Sequence, residues 1–139
     1  MEILMDVESV QGQPPVTVLR PHGRIDGSNY ESLVNKTKQL SDDGTRHVLI
    51  DLGDVNFLSS AGLVALHRMV LLMQGEKISE EQSGWDALAS IDRDASNRPQ
   101  PYIKLLNPQP KVAGTLQMAG MDRFFMIFTD EKTALASFS

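Results

Sequence analysis

The run VLIDLGDVNFLSSAGLVAL, Val48 to Leu66, changes its periodicity part-way along, and that change decides the fold. His47 to Leu52 is a short, β-branched and leucine-rich stretch bounded by Gly44 and Gly53. It reads as a strand buried on both faces, and so as the middle of a sheet. Beyond a short acidic turn, Leu63, Leu66, Val70 and Met73 recur at helical spacing. Ser59 and Ser60 stand where N-cap residues belong, and Gly62 relaxes the first turn. The first amides of a helix point out of its end unpaired, so this strand-to-helix junction tolerates negative charge well.

Outward from this unit, strands and helices alternate. Ile3 to Val10 and Val16 to Ile25 read as two strands joined across the turn-rich Gln11 to Pro15, together forming a sheet edge. Asp26 to Ser28 supply caps for a helix over about Asn29 to Leu40. Tyr30, Leu33, Val34 and Thr37 keep to one face of it, and Asp42 to Gly44 end it. Further on, Tyr102 to Leu106 reads as a compact strand and Pro110 to Met118 as a helix opened by its proline. Phe124 to Phe128 follows as a last strand and Asp130 to Phe138 as a closing helix. The sum is a single α/β domain over residues 1–139, with a mixed sheet of about five strands packed with about four helices.

Composition narrows the chemistry. With 139 residues and 41% hydrophobic content, one buried core is the natural expectation. There is no cysteine, which rules out disulfides and thiolate metal ligands and fits a cytoplasmic chain. MEILMDVESV has no basic n-region and no continuous apolar core, so no secretory signal is expected. Leu63 to Met73 is interrupted by His67 and Arg68 and is too short to span a bilayer, so no membrane segment is expected. A net charge of -5 argues against nucleic acid as a ligand.

Residues 75–101 stand apart. Six acids (Glu76, Glu80, Glu81, Asp86, Asp92, Asp94) face three bases (Lys77, Arg93, Arg98), a net -3 that is more than half of the chain's total. The segment reads as an inserted acidic loop, within which Trp85, Leu88 and Ile91 keep the spacing of a short helix able to dock on apolar surface.

Catalysis finds little support. The string around Ser60, Phe57 to Gly62, lacks the Gly-x-Ser-x-Gly elbow of serine hydrolases. His22, His47 and His67 are scattered, with neither metal-ligand spacing nor an evident place beside Ser60. Gly114 to Gly120 is followed by no Lys-Ser/Thr and is no phosphate cradle. Met69, Met73, Met118 and Met121 read as core fillers, with the largely apolar second helix leaving part of its surface for contact.

The phrase DLGDVNFLSSAGLVAL resembles the signature of STAS domains, the fold of anti-sigma-factor antagonists, in which an apolar strand leads to an Asp-Ser-Ser-Gly-Leu type turn. Gly23 to Asp26, GRID, similarly resembles the Gly-x-Leu-Asp ending the family's second strand. On that pattern Ser60 takes the phosphoacceptor place, Gly62 the glycine and Leu63 the leucine; Ser59 replaces the usual aspartate and Ala61 a hydroxyl, leaving Ser59 as rival acceptor. The resemblance implies no catalysis, no cofactor and no metal of its own. It implies binding of a serine-kinase anti-sigma factor when Ser60 is unmodified, release on phosphorylation, and restoration by a phosphatase. The contact surface is expected at Asp26, Leu58, Ser59, Ser60, Gly62 and Leu63; a homodimer stays open. A STAS scaffold or ligand-binding module without phosphorylation is the alternative, and a serine hydrolase at Ser60 the third.

Overall fold

The computed structural model describes residues 3–12, 14–74 and 100–138. Among these, six strands and five helices follow in the order β1 (Leu4–Val10), β2 (Val16–Ile25), α1 (Tyr30–Asp42), β3 (Val48–Asp51), β4 (Val55–Leu58), α2 (Ser60–Met73), β5 (Ile103–Leu106), α3 (Pro110–Met118), α4 (Met121–Phe124), β6 (Ile127–Phe128) and α5 (Glu131–Ala136). The sheet runs β1-β2-β3-β5-β6, with β1 antiparallel to β2 and the other pairs parallel. The expected mixed α/β sheet is therefore present.

The acidic turn expected between the central strand and the serines holds a strand of its own. Asp51 Oδ1 accepts the Gly53 N–H at 2.9 Å and turns the chain, after which β4 pairs with the far end of β2, Arg24 against Phe57 and Ile25 against Leu58. Val55 to Leu58 breaks strict apolar-polar alternation at Phe57 and Leu58, so its pattern does not declare a strand. As a result β2 is no edge. Its first half pairs with β3 through Thr17 to Leu19, its last residues pair with β4, and Pro21 falls between the two ladders, where its missing N–H costs nothing on that side. Among the described residues β1 and β6 end the sheet, and the acidic residues Asp6 and Glu8 lie on β1.

The two sheet faces are covered unequally. One buries Leu19, Ile25, Val48, Ile50, Leu52, Ile103 and Leu105 beneath α1, α2, α3 and α4, and the other buries Val16, Val18, Leu49 and Leu106 against Ala134 and Phe138 at α5. Such alternation along each strand is what the two-residue period of a strand requires. Lys104, on the α5 side, is 5% exposed. Its Nζ donates to the Ser137 carbonyl and hydroxyl at 2.9 and 3.0 Å and lies 4.4 Å from the Phe138 ring centroid, fastening the closing helix. Burial pushes its pKa down.

Four further expectations change. The last strand is only Ile127–Phe128, because Gly120 takes φ 76° and starts a new helical turn that buries Phe124 and Phe125 edge to face, 5.1 Å apart. Helix α2 leaves little apolar surface free, since Leu63 to His67, Met69, Val70 and Met73 are all buried; of the methionines expected in the core, Met118 is instead 92% exposed. The expected helix at Trp85, Leu88 and Ile91 and most of the expected insertion lie outside the described residues. Gln100, counted within that insertion, is a core residue: its Oε1 accepts the N–H groups of Tyr102 and Ile103 at 2.9 and 3.0 Å, and its Nε2 donates to the Ile103 carbonyl at 2.6 Å. It opens β5.

Candidate phosphoacceptor site at the start of helix α2

The two serines of the junction have different surroundings. Ser59 is the N-cap residue: its backbone is extended (φ -84°, ψ 175°), its hydroxyl accepts the Gly62 N–H at 3.2 Å, and its own N–H donates to the Ile25 carbonyl at 3.0 Å. Ser60 is the first helical residue and is exposed, and its hydroxyl has no hydrogen-bond partner among the described residues. One hydroxyl is committed to the fold, and the next is offered to solvent.

The Ile25 contact brings a distant turn to the same end of the sheet. Past Ile25, Asp26 Oδ1 accepts the backbone N–H and the hydroxyl of Ser28 at 2.9 and 2.6 Å. Asn29 ties the turn down, its Oδ1 accepting the Asp26 N–H at 3.0 Å and its Nδ2 donating to the Arg24 carbonyl at 2.8 Å. These bonds from Ser28, with the Arg24 guanidinium 3.4 Å away, hold the Asp26 carboxyl below its usual pKa. Asp26 thus stands ionised beside the junction. The helix α1 cap position belongs to Asn29, whose side chain makes no capping bond; Asp26 serves the helix start through its carbonyl, which accepts the Asn29 and Tyr30 N–H groups at 3.2 and 2.9 Å, while its carboxylate is spent on Ser28 and Arg24.

Leu58 and Leu63, expected to offer apolar surface around Ser60, are 3% and 6% exposed and belong to the core. Gly62 is there for proximity rather than flexibility: a Cβ at this position would sit 3.3 Å from the Ile25 carbonyl oxygen and closer still to side chains. The surface presented here consists of Ser60, the half-buried Ser59 and Asp26, and their polar neighbours.

Sequence reasoning missed the neighbouring aromatic. The Arg24 guanidinium lies 4.7 Å from the centroid of the Phe57 ring, and Lys111 Nζ, reaching over from α3, lies 6.0 Å from it. Nothing in the sequence relates residues 24, 57 and 111; strand pairing and helix placement do. It missed His22 also. Both ring nitrogens are engaged, Nδ1 with Asp54 and Nε2 with Asp6 at 2.8 Å, and these carboxylates raise its pKa. His47 and His67 pack on Phe138 and Phe124. A cleft of about 380 Å³ lined by Val10, Pro14, Val16, Thr45, Arg46 and His47 lies at the start of β2 and β3, the opposite end of these strands from the serines. Among the described residues no group of acidic or histidine side chains could hold a metal ion, and no helix is long and apolar enough to cross a membrane.

The architecture occurs in known proteins. No curated protein matches the chain by sequence. Among solved structures, an anti-sigma factor antagonist from Mycobacterium paratuberculosis is similar at 20% identity and TM-score 0.65, covering 98% of this chain and 93% of its own. The unphosphorylated anti-sigma factor antagonist SpoIIAA is similar at 20% identity and TM-score 0.63, covering 95% and 93%. The phosphorylated form of SpoIIAA, the Bacillus cell fate determinant, gives 19% identity and TM-score 0.54 over 96% and 97%. At such identities these likenesses establish the fold. The family model of the STAS domain matches residues 9–78, half of the chain and the whole of the strand-turn-helix unit that carries Ser59 and Ser60, and on that match the chain belongs to the STAS domain family.

Proposed function

We propose that this chain is a phosphorylation-switched anti-sigma-factor antagonist: a non-catalytic regulator that binds a serine-kinase anti-sigma factor while Ser60 is unmodified and lets go once Ser60 is phosphorylated. The observation that carries this reading is the division of labour between the serines, with Ser59 spent on the cap and Ser60 exposed, its hydroxyl without a partner among the described residues. An acceptor must be reachable by a kinase without unfolding its host, and Ser60 meets that condition. In the transfer, Ser60 Oγ would bond to the γ-phosphorus of an ATP held by the kinase, the bond to ADP would break, and the hydroxyl proton would pass to a base of the kinase. A phosphatase would reverse the state by hydrolysis.

The same position accounts for the readout. A phosphoryl group adds about -1.5 to -2 charges at pH 7, and in the first turn of α2 it meets free amides and the positive end of the helix dipole, so the fold accepts it. The cost falls on a partner that must desolvate a dianion beside the Asp26 carboxylate. The test uses the kinase-type anti-sigma factors of the source genome, purified and incubated one by one with this protein and ATP. Mass mapping should find phosphate on Ser60, and titration should show tight binding before modification and weak binding after it. Modification of Ser59 instead, or no modification by any of the kinases, would defeat the reading.

A further inference from the structure

We propose that Arg24, Phe57 and Lys111 form a ledge that binds an acidic segment of the partner protein, and that phosphate on Ser60 weakens binding by opposing that same segment. The identity of the partner rests on the function proposed above; the ledge itself does not. Arg24 and Phe57 are paired across β2 and β4, one residue before the pair Ile25 and Leu58. Ile25 in turn accepts the Ser59 N–H, so the ledge lies directly beside the serines. Since Ile25 and Leu58 point into the core, their strand neighbours Arg24 and Phe57 point to the other side of the ladder.

The ledge is a cationic surface on an acidic chain, in which Arg24 has a single ion-pair partner, Asp26, among the described residues. The net charge of the protein is -5. Yet the Arg24 side chain is 64% exposed, Lys111 is exposed, and among the described residues Lys111 makes no ion pair. The carboxylates nearby are already engaged: Asp26 by Ser28, Asp54 by His22, Asp51 by the Gly53 N–H and Arg20. Arg24 touches Asp26 only at 3.4 Å. The half-buried Phe57 ring holds both cations near one another and supplies a flat apolar floor, which suits an extended acidic stretch better than a single small anion. Phosphate on Ser60 would set about two negative charges next to that stretch.

Two measurements decide this. An octaglutamate peptide titrated at low salt, followed by amide NMR, should shift the signals of Arg24, Phe57 and Lys111 together, and Arg24→Gln with Lys111→Gln should abolish the shifts; absence of that cluster in the wild-type protein overturns the ledge. In the second, the anti-sigma factor that phosphorylates Ser60 is titrated with the Arg24→Glu, Lys111→Glu double variant. Affinity should fall by about tenfold or more at low salt, the gap closing as salt is added, with the denaturant midpoint unchanged. Equal affinity for double variant and wild type overturns the proposal. Failure of every kinase to bind the wild-type protein strikes the proposed function instead, while the peptide titration still decides the ledge.

Discussion

Gly62 and Leu58 meet too closely for a side chain at position 62: a Cβ there would stand 2.4 Å from Leu58 Cδ1 and 3.0 Å from Ile25 Cγ2. Leu58 is 3% exposed, so any shift of its methyl must be taken up by the core around it, and the Ile25 carbonyl oxygen, 3.3 Å from that Cβ, is backbone. Alanine in place of a helical glycine ordinarily gains about 1 kcal/mol. Here overpacking outweighs that gain, and Gly62→Ala should destabilise the fold by about 1–2 kcal/mol net. Urea unfolding checks it, and a midpoint at or above that of the wild type would refute it.

The two serines should respond differently to the same substitution. Ser59→Ala removes the acceptor for the Gly62 N–H and should cost about 1 kcal/mol. Ser60→Ala removes no bond among the described residues and should unfold at the wild-type midpoint, as should Ser60→Asp. On the function proposed, Ser60→Ala keeps anti-sigma-factor binding and Ser60→Asp loses it. Calorimetric titration beside denaturant melts separates the two effects, and a costly Ser60→Ala would show that its hydroxyl serves the fold.

His22, between Asp6 and Asp54, should make stability depend on pH. These two carboxylates raise its pKa above the usual 6.5 in the folded protein. The protonated clamp therefore contributes fully below pH 6.5 and fades as pH rises through the folded value. Denaturant midpoints of wild type and His22→Gln should differ most at mildly acidic pH and converge at alkaline pH. A difference that grows with pH would reverse the assignment.

Gln100 marks where the acidic segment stops and the core begins. Gln100→Ala leaves the N–H groups of Tyr102 and Ile103 without their side-chain acceptor and should cost about 1–3 kcal/mol. Replacing residues 76–98 by a short Gly-Ser turn should leave unfolding cooperative, because surface loops change length at small entropic cost. Loss of folding in the second variant would assign Trp85 to the core.

By itself the sequence determined the class of the fold and the place of the serines. The apolar run at Val48 to Leu52 and the helical recurrence of Leu63, Leu66, Val70 and Met73 are local patterns, set by the two periods of strand and helix, and they survive any arrangement of the rest. The proline opening α3 and the asparate-led start of α5 are equally local. Only the tertiary structure decided what meets what. It made Val55–Leu58 a strand by giving it the end of β2 to pair with, hid Leu58 and Leu63, and gave Ser59 and Ser60 different work by bringing the Ile25 carbonyl to the Ser59 N–H. It also joined Arg24 to Phe57 and Lys111, and His22 to Asp6 and Asp54. Those contacts depend on which strands pair and where the helices pack, whereas the two-residue period of a strand fixes only which face each side chain takes.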